Sequence, residues 1–304
     1  MCQSKELAIR PHTFPTRLRA IALLVAVLPV LLSLSSCFVR KRVVAAPGNR
    51  PLAPLLTATK EELIERVHRI ADGLRTFSLR MDLSPSVGSV YVGEIKDYAT
   101  LGGYILFRRP ADIRIVATDP MFGSTVFDMA SKDQIFRVLI PSQSRLVEGR
   151  NDAPPTSKKQ LENLRPVAFL TSLLVQPPDP GNEITLLEED TDEHESVYVL
   201  LIARREQEEF RLARALHFDR RNLELVRQTS FDPAGHLVSD THYEEWKEYG
   251  GVPFPSAIDI KRPLDRYEVR LNVLTMRMNA EDITPEKFVL QQPEGTSLES
   301  IGQP

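Results

Sequence analysis

The stretch "FDPAGHLVSDTHYEEWKEYGGVPFPSAIDIKRP", Phe231 to Pro263, decides how the chain is read. It opens on a hairpin turn in which Pro233 presets φ and Gly235 is free to take φ > 0. Strand-like text follows, broken only by Gly and Pro. Upstream, Ile184 to Leu187, Ser196 to Arg204, Phe210 to Asp219 and Leu223 to Phe231 look like successive strands. Downstream, "YEVRLNVLTMRMN" takes its apolar share from Val269, Leu271, Val273 and Leu274. Short strands at close, regular spacing point to an antiparallel sheet, sandwich or barrel.

The first half repeats the idiom. Phe77, Leu79, Met81 and Leu83 alternate with Ser78, Arg80 and Asp82, as in a half-buried strand. "SVYVGEIKDY", "LGGYILFRRPADIRIVATDP" and "STVFDMASKDQIFRVLIPSQSRLVEG" continue it, for a total of about ten or eleven strands. Two segments depart from period two. Thr59 and Glu62 fit a capping box, and Leu63, Ile64, Val67, Ile70, Ala71 and Leu74 form one apolar stripe, which predicts a helix from Lys60 to Arg75. Between the halves, Ser157 to Val175 carries Leu161, Leu164, Phe169, Leu170 and Leu173, and Pro166 divides it into two short helices or one kinked one. The fold class is therefore mainly β with helices.

The amino terminus reads as an address. The apolar run Ile21 to Leu34 is shorter than the roughly 20 residues a membrane-spanning helix needs. Arg10, Arg17 and Arg19 precede it, the flank of a secretory signal. An ordinary signal with an incidental cysteine and an uncleaved anchor are the alternatives to what the next residues suggest. Leu34-Ser35-Ser36-Cys37 resembles a bacterial lipobox, which implies that Cys37 receives a diacylglyceryl group and becomes the new amino terminus. Phe38, where an Asp would imply inner-membrane retention, favours the inner leaflet of the outer membrane, facing the periplasm. On this reading residues 1–36 are signal, 37–56 tether, 57–295 the folded domain and 296–304 a frayed tail. The mature part keeps about 268 residues, enough for one large β domain. It has no cysteine pair for a disulfide.

Composition excludes several functions. The formal net charge is −3 and the charges are interspersed, so nucleic acid is not an expected partner. No phosphate-binding glycine loop, His-Glu-x-x-His helix or Gly-x-Ser-x-Gly elbow occurs. His68, His194, His217, His236 and His242 are scattered, although His217 and Asp219 could share a strand face. Glu188-Glu189-Asp190 and Asp192-Glu193 read as a solvated loop, lacking the spaced ligands and turn glycine of a calcium site. No catalytic residue, metal or cofactor is expected beyond the covalent lipid.

The order helix, strands, helical insertion, strands is similar to that of the LolA/LolB family of bacterial lipoprotein carriers and acceptors. The likeness rests on Gly103, Arg109-Pro110 and Arg114, and on Gly235, Tyr243, Gly250-Gly251, Pro255, Ile258, Ile260 and Pro263. Asn279, Ile283, Phe288, Pro293 and Gly295 extend it to the end of the domain. The resemblance implies an incomplete, strongly curved antiparallel barrel whose apolar hollow takes acyl chains beneath a helical cover. It implies that an arginine near Arg114 contacts lid backbone. Alternation counted from Arg109-Pro110 puts Arg114 opposite Ile113 and Ile115, and the contrary count turns it inward. The implied partners are lipid or lipoprotein acyl chains, the membrane through the anchor, and a periplasmic lipoprotein carrier. Met121 and Phe122 in "DPMFGS" are the candidate membrane-touching loop, or an apolar pair folded under a hairpin. A partner-sensing module of the same fold is the alternative function.

Intact-mass measurement on protein from the membrane fraction is expected to find a chain starting at Cys37 and carrying a diacylglyceryl mass. Cys37→Ala should lose that mass. Unmodified wild-type protein would remove the anchor from the account.

Overall fold

The computed structural model describes residues 54–89, 93–152, 165–191 and 195–301. Cys37, Leu161, Leu164, His194 and the acidic pair Asp192-Glu193 lie outside the described residues.

Helix α1, Lys60–Asp72, starts as its sequence dictates. Thr59 Oγ1 accepts the Glu62 amide at 3.2 Å, and Glu62 Oε2 accepts the Thr59 amide at 2.7 Å. The helix stops at Asp72, short of Arg75, with Gly73 at its C-cap. A Cβ on Gly73 would already lie 3.0 Å from Val252.

Among the described residues fifteen strands follow, more than the ten or eleven expected. The first seven are β1 (Thr76–Ser89), β2 (Glu94–Asp97), β3 (Leu101–Arg108), β4 (Asp112–Thr118), β5 (Thr125–Lys132), β6 (Ile135–Ile140) and β7 (Arg145–Arg150). Helix α2 (Pro166–Leu173) intervenes, with Pro166 in its first turn, where a missing amide costs nothing. Then come β8 (Glu183–Thr191), β9 (Ser196–Glu206), β10 (Glu209–Asp219), β11 (Leu225–Phe231), β12 (Leu237–Tyr249), β13 (Val252–Arg262), β14 (Tyr267–Met278) and β15 (Ser297–Ile301). One strand missed by sequence, β15, is short and exposed along nearly all of its length, so it lacks the signal.

The strands form one sheet in the order β15-β7-β6-β5-β4-β3-β1-β14-β13-β12-β11-β10-β9-β8, with β2 also paired to β1. All pairings are antiparallel except β15 on β7. The first strand thus sits mid-sheet, joined to the last long strand, β14, and two meanders run outward from that seam. This open, curled sheet fits an incomplete barrel. The β12–β13 hairpin turns on Gly250 and Gly251, with φ of 61° and 80°, the double positive φ that a tight hairpin asks of glycine. Gly103 is needed for another reason: a Cβ there would lie 2.1 Å from the Val116 carbonyl oxygen on β4.

Two sequence expectations are corrected. Part of the supposedly frayed tail is β15, which borrows the hydrogen-bonding edge of β7 and needs little side-chain pattern to do so. Glu188, Glu189 and Asp190 lie on β8 rather than in a loop; as an edge strand, β8 can display charge on its free side.

The main core lies on the concave face. Inward residues of β1 (Phe77, Leu79, Met81) meet Ile105 and Phe107 of β3, Ile258 and Ile260 of β13, and Leu63 and Val67 of α1. Phe77 is fully buried, its ring centroid 5.1 Å from that of Phe107 and 5.8 Å from that of Phe254. Truncating it removes a contact shared by both meanders. Phe77→Ala is expected to cost about 3–5 kcal/mol, read as a lowered midpoint in denaturant unfolding; a loss under about 1 kcal/mol would show that the site collapses to refill the space.

Candidate functional site

The hollow of the sheet is apolar, and in this structure it is occupied. α2 packs against β4 and β5 of one meander and β12 and β13 of the other, while α1 packs against β13. Phe169, Leu170 and Leu173 of α2 are buried among Tyr198, Leu200, Leu216 and Leu271 in the same core. Of the cavity residues expected from sequence, these three are placed in the hollow, as the protein's own filling. A crevice remains where the ends of both helices meet Phe107, Tyr243 and Phe254, with about 20 Å³ of free space. That is room for about one water, against the roughly 300–1,000 Å³ of a pocket for a sizeable ligand. Among the described residues, this crevice is too small for an acyl chain.

What holds the cover is specific. Arg109 donates from Nε to the Leu74 carbonyl at 2.6 Å and from a terminal nitrogen to the Ala71 carbonyl at 2.5 Å. Asn279 adds a bond from Nδ2 to the Gly73 carbonyl at 2.8 Å, and its Oδ1 accepts the Arg75 amide at 2.9 Å. These carbonyls close the end of α1, where the Ala71 carbonyl also accepts the Leu74 amide at 3.1 Å, and a guanidinium fits them in geometry and charge. Arg114 does something else. Ile113 and Ile115 are buried in the hollow, so Arg114 points outward. It grips Asp128 with two hydrogen bonds, at 2.9 and 2.6 Å, and the Lys287 carbonyl at 3.0 Å. Arg137 binds the Leu290 carbonyl at 2.8 Å in the same way. Together they pin the arm leading to β15 onto the outer face, where Leu290 packs with Ala130 and Leu146. The contact with helix backbone expected of Arg114 belongs to Arg109, five residues earlier.

α2 is tied by a polar track that the sequence analysis missed. Ser172 Oγ lies 2.8 Å from Ser239 Oγ, which lies 3.3 Å from Thr241 Oγ1. The Tyr243 hydroxyl donates to the Ser172 carbonyl at 3.1 Å, and Gln228 Nε2 donates to the Thr171 carbonyl at 3.2 Å. The signal was present: inward positions 239 and 241 of β12 hold Ser and Thr where period two calls for apolar side chains. Burial pushes the Tyr243 phenol well above its ordinary range, so it stays a donor. Tyr243 and Arg109 are the only titratable side chains lining the crevice.

Among the described residues, no hydrolytic set converges. His68 pairs with Asp72 at 3.0 Å, and His236 with Asp232 at 3.0 Å. Asp219 is held by Arg221 rather than by His217. His217 faces Arg227 across the β10–β11 pair; burial, then the positive charges of Arg227 and His242, hold its imidazole down to about 4. Among the described residues, no three His, Cys, Asp or Glu side chains group as metal ligands. No described helix is long and apolar enough to cross a membrane. Met121 and Phe122 stand out from the β4–β5 turn, 83% and 82% exposed, and are not folded beneath it. Asp119 Oδ1 holds the turn, accepting their amides at 2.8 and 2.9 Å.

No family model and no curated protein matches this chain. Solved structures do. One is described as a LolA superfamily protein from Nitrosomonas europaea: 14% identity, 77% of this chain and 99% of that one, TM-score 0.48. A DUF1329 family protein from Desulfovibrio piger shares 13% over 75% and 97%, TM-score 0.47. An outer membrane lipoprotein-sorting protein domain from Vibrio parahaemolyticus shares 12% over 75% and 94%, TM-score 0.46. The family that the sequence resembles is thus named among the neighbours, and at these identities the likeness is one of fold.

Arg109→Ala should free the Ala71 and Leu74 carbonyls and cost about 1–3 kcal/mol. Hydrogen exchange should speed up in the last turn of α1 before it does in β1. Unchanged exchange there would show that the clasp adds nothing to Asn279.

Proposed function

We propose that the chain is a lipid-anchored protein of the cell envelope that takes up acyl chains in its hollow by exchanging them for α2, receiving or handing on lipoproteins or another lipid. The observation that carries this reading is the apolar concave face closed by one short helix. An acyl chain offers no directional groups, so its site needs apolar area rather than a reactive set. The energies match. Burying Phe169, Leu170 and Leu173 is worth about 1.5–3 kcal/mol each, and an acyl chain returns about 0.8 kcal/mol per buried methylene. A chain of about a dozen methylenes then offsets the displaced helix, with a margin small enough for release.

The remaining parts fit that work. Anchored through Cys37 in the outer membrane, the domain faces the periplasm, where a soluble lipoprotein carrier is its proposed donor. Met121 and Phe122, on a stiffened turn, are the proposed point of entry into the lipid surface. A second reading, a partner-sensing module, draws on one observation. Ile184, Ala203 and Leu212 lie in register across β8, β9 and β10, and the outer two are exposed.

Locking the helix tests the first reading. Ser172 and Ser239 have their oxygens 2.8 Å apart, so Ser172→Cys with Ser239→Cys should form a disulfide. Native mass spectrometry of protein purified from cells is expected to show bound lipid on the reduced form and none on a form oxidised before exposure to lipid. Clean apo protein in both states, or equal loading of both, sinks the exchange.

A further inference from the structure

We propose that an open pocket beside the α1 clasp is a headgroup subsite, which binds the anionic head of an amphiphile while its tail enters the hollow. The inference rests on the acyl-binding reading above. The pocket has about 240 Å³ of free space, walled by Trp246 and Pro253 above the buried Phe218 and Leu225, and rimmed by Arg66, Arg69 and Lys247. Arg66 and Arg69 are three apart on α1, so both guanidiniums overhang one side of it. Among the described residues, neither arginine has a carboxylate partner. Lys247 is held at 3.3 Å by Glu245. Two carboxylates also line the pocket, Glu224 and Glu248; Glu224 is engaged by Asn222 Nδ2 at 2.7 Å.

Three features point to an anionic amphiphile rather than a free anion or an uncharged lipid. Two guanidiniums without a carboxylate partner among the described residues, beside the half-exposed Trp246 and Pro253, suit a group that is charged at one end and apolar at the other. The volume holds a head and the first carbons of a tail, not a whole lipid. Ile70 and Trp246 line this pocket and also the crevice beneath Arg109, so the two spaces share a wall. A molecule seated here would start its tail at the point where α1 and α2 part. Trp246 is fixed at that junction by a 2.8 Å bond from Nε1 to the Leu225 carbonyl.

Trp246 is the only tryptophan of the chain, so its emission reports the junction directly. The purified protein would be titrated, below micelle-forming concentrations, with lauroyl-lysophosphatidylglycerol, with lauroyl-lysophosphatidylcholine, and with glycerol phosphate. The phosphatidylglycerol form is expected to bind about tenfold or more tightly than the choline form. Arg66→Gln with Arg69→Gln should erase that preference, while Arg66→Lys with Arg69→Lys should retain it. Equal affinities in the wild type, or a preference that survives the double Gln variant, overturn the subsite and leave acyl binding standing. A response to neither lysolipid removes acyl binding, and the subsite with it. A shift produced as strongly by glycerol phosphate alone marks a plain anion site and overturns the amphiphile.

Discussion

A curled sheet with two free edges has to cover its concave side, and here the chain's own path supplies the cover. β1 lies in the middle of the sheet, β7 near one end and β8 at the other. The chain leaving β7 must therefore cross to the far edge before the second meander can begin. α2 lies on that crossing and touches both meanders. An apolar helix at that point is the least costly way to shield Leu200, Leu216, Leu271 and their neighbours from water. The cover thus follows from topology, and so does its limitation: a crossover attached at both ends can shift out of the hollow without breaking a single strand pair.

Two kinds of attachment divide the work. α1 is clasped through its backbone by Arg109 and Asn279, with bonds to carbonyls at and just past its last turn. α2 is held by side-chain hydroxyls and an amide that water could satisfy as well. A hydrogen bond exchanged for one to water contributes little net. Breaking the Ser172–Ser239 and Tyr243–Ser172 contacts on opening therefore costs far less than exposing Phe169, Leu170 and Leu173. Orientation is set by the polar track, and the free energy of closure by the apolar side chains.

Much of this was legible in the sequence, because the signals were local. The capping box at Thr59, the alternation through Phe77 to Leu83, the turn glycines and Pro166 at a helix start each act through neighbouring residues. What was not legible depends on partners distant in the chain. β15 exists because β7 offers a free edge, and nothing in "SLESI" announces that. Arg114 and Arg109 stand five residues apart in similar text, and only the seating of Ile113 and Ile115 decides which faces a helix. The filling of the hollow is also a long-range fact: the same apolar α2 residues would read identically beside an empty cavity. The Ser239 and Thr241 positions were readable in principle, as polar residues breaking an apolar period.

The closed hollow constrains what the protein can accept. A crevice of about 20 Å³ is too small for an acyl chain, so the proposed uptake couples entry to the departure of α2. That coupling selects for length. A short tail recovers too few methylenes to replace three large apolar side chains, whereas a long acyl chain recovers enough, at about 0.8 kcal/mol for each. It also selects for where exchange begins. The proposed starting point is the junction of the helix ends, where the crevice lies beside Arg109. On the proposed headgroup subsite, cargo held there by its head would start its tail beside that crevice.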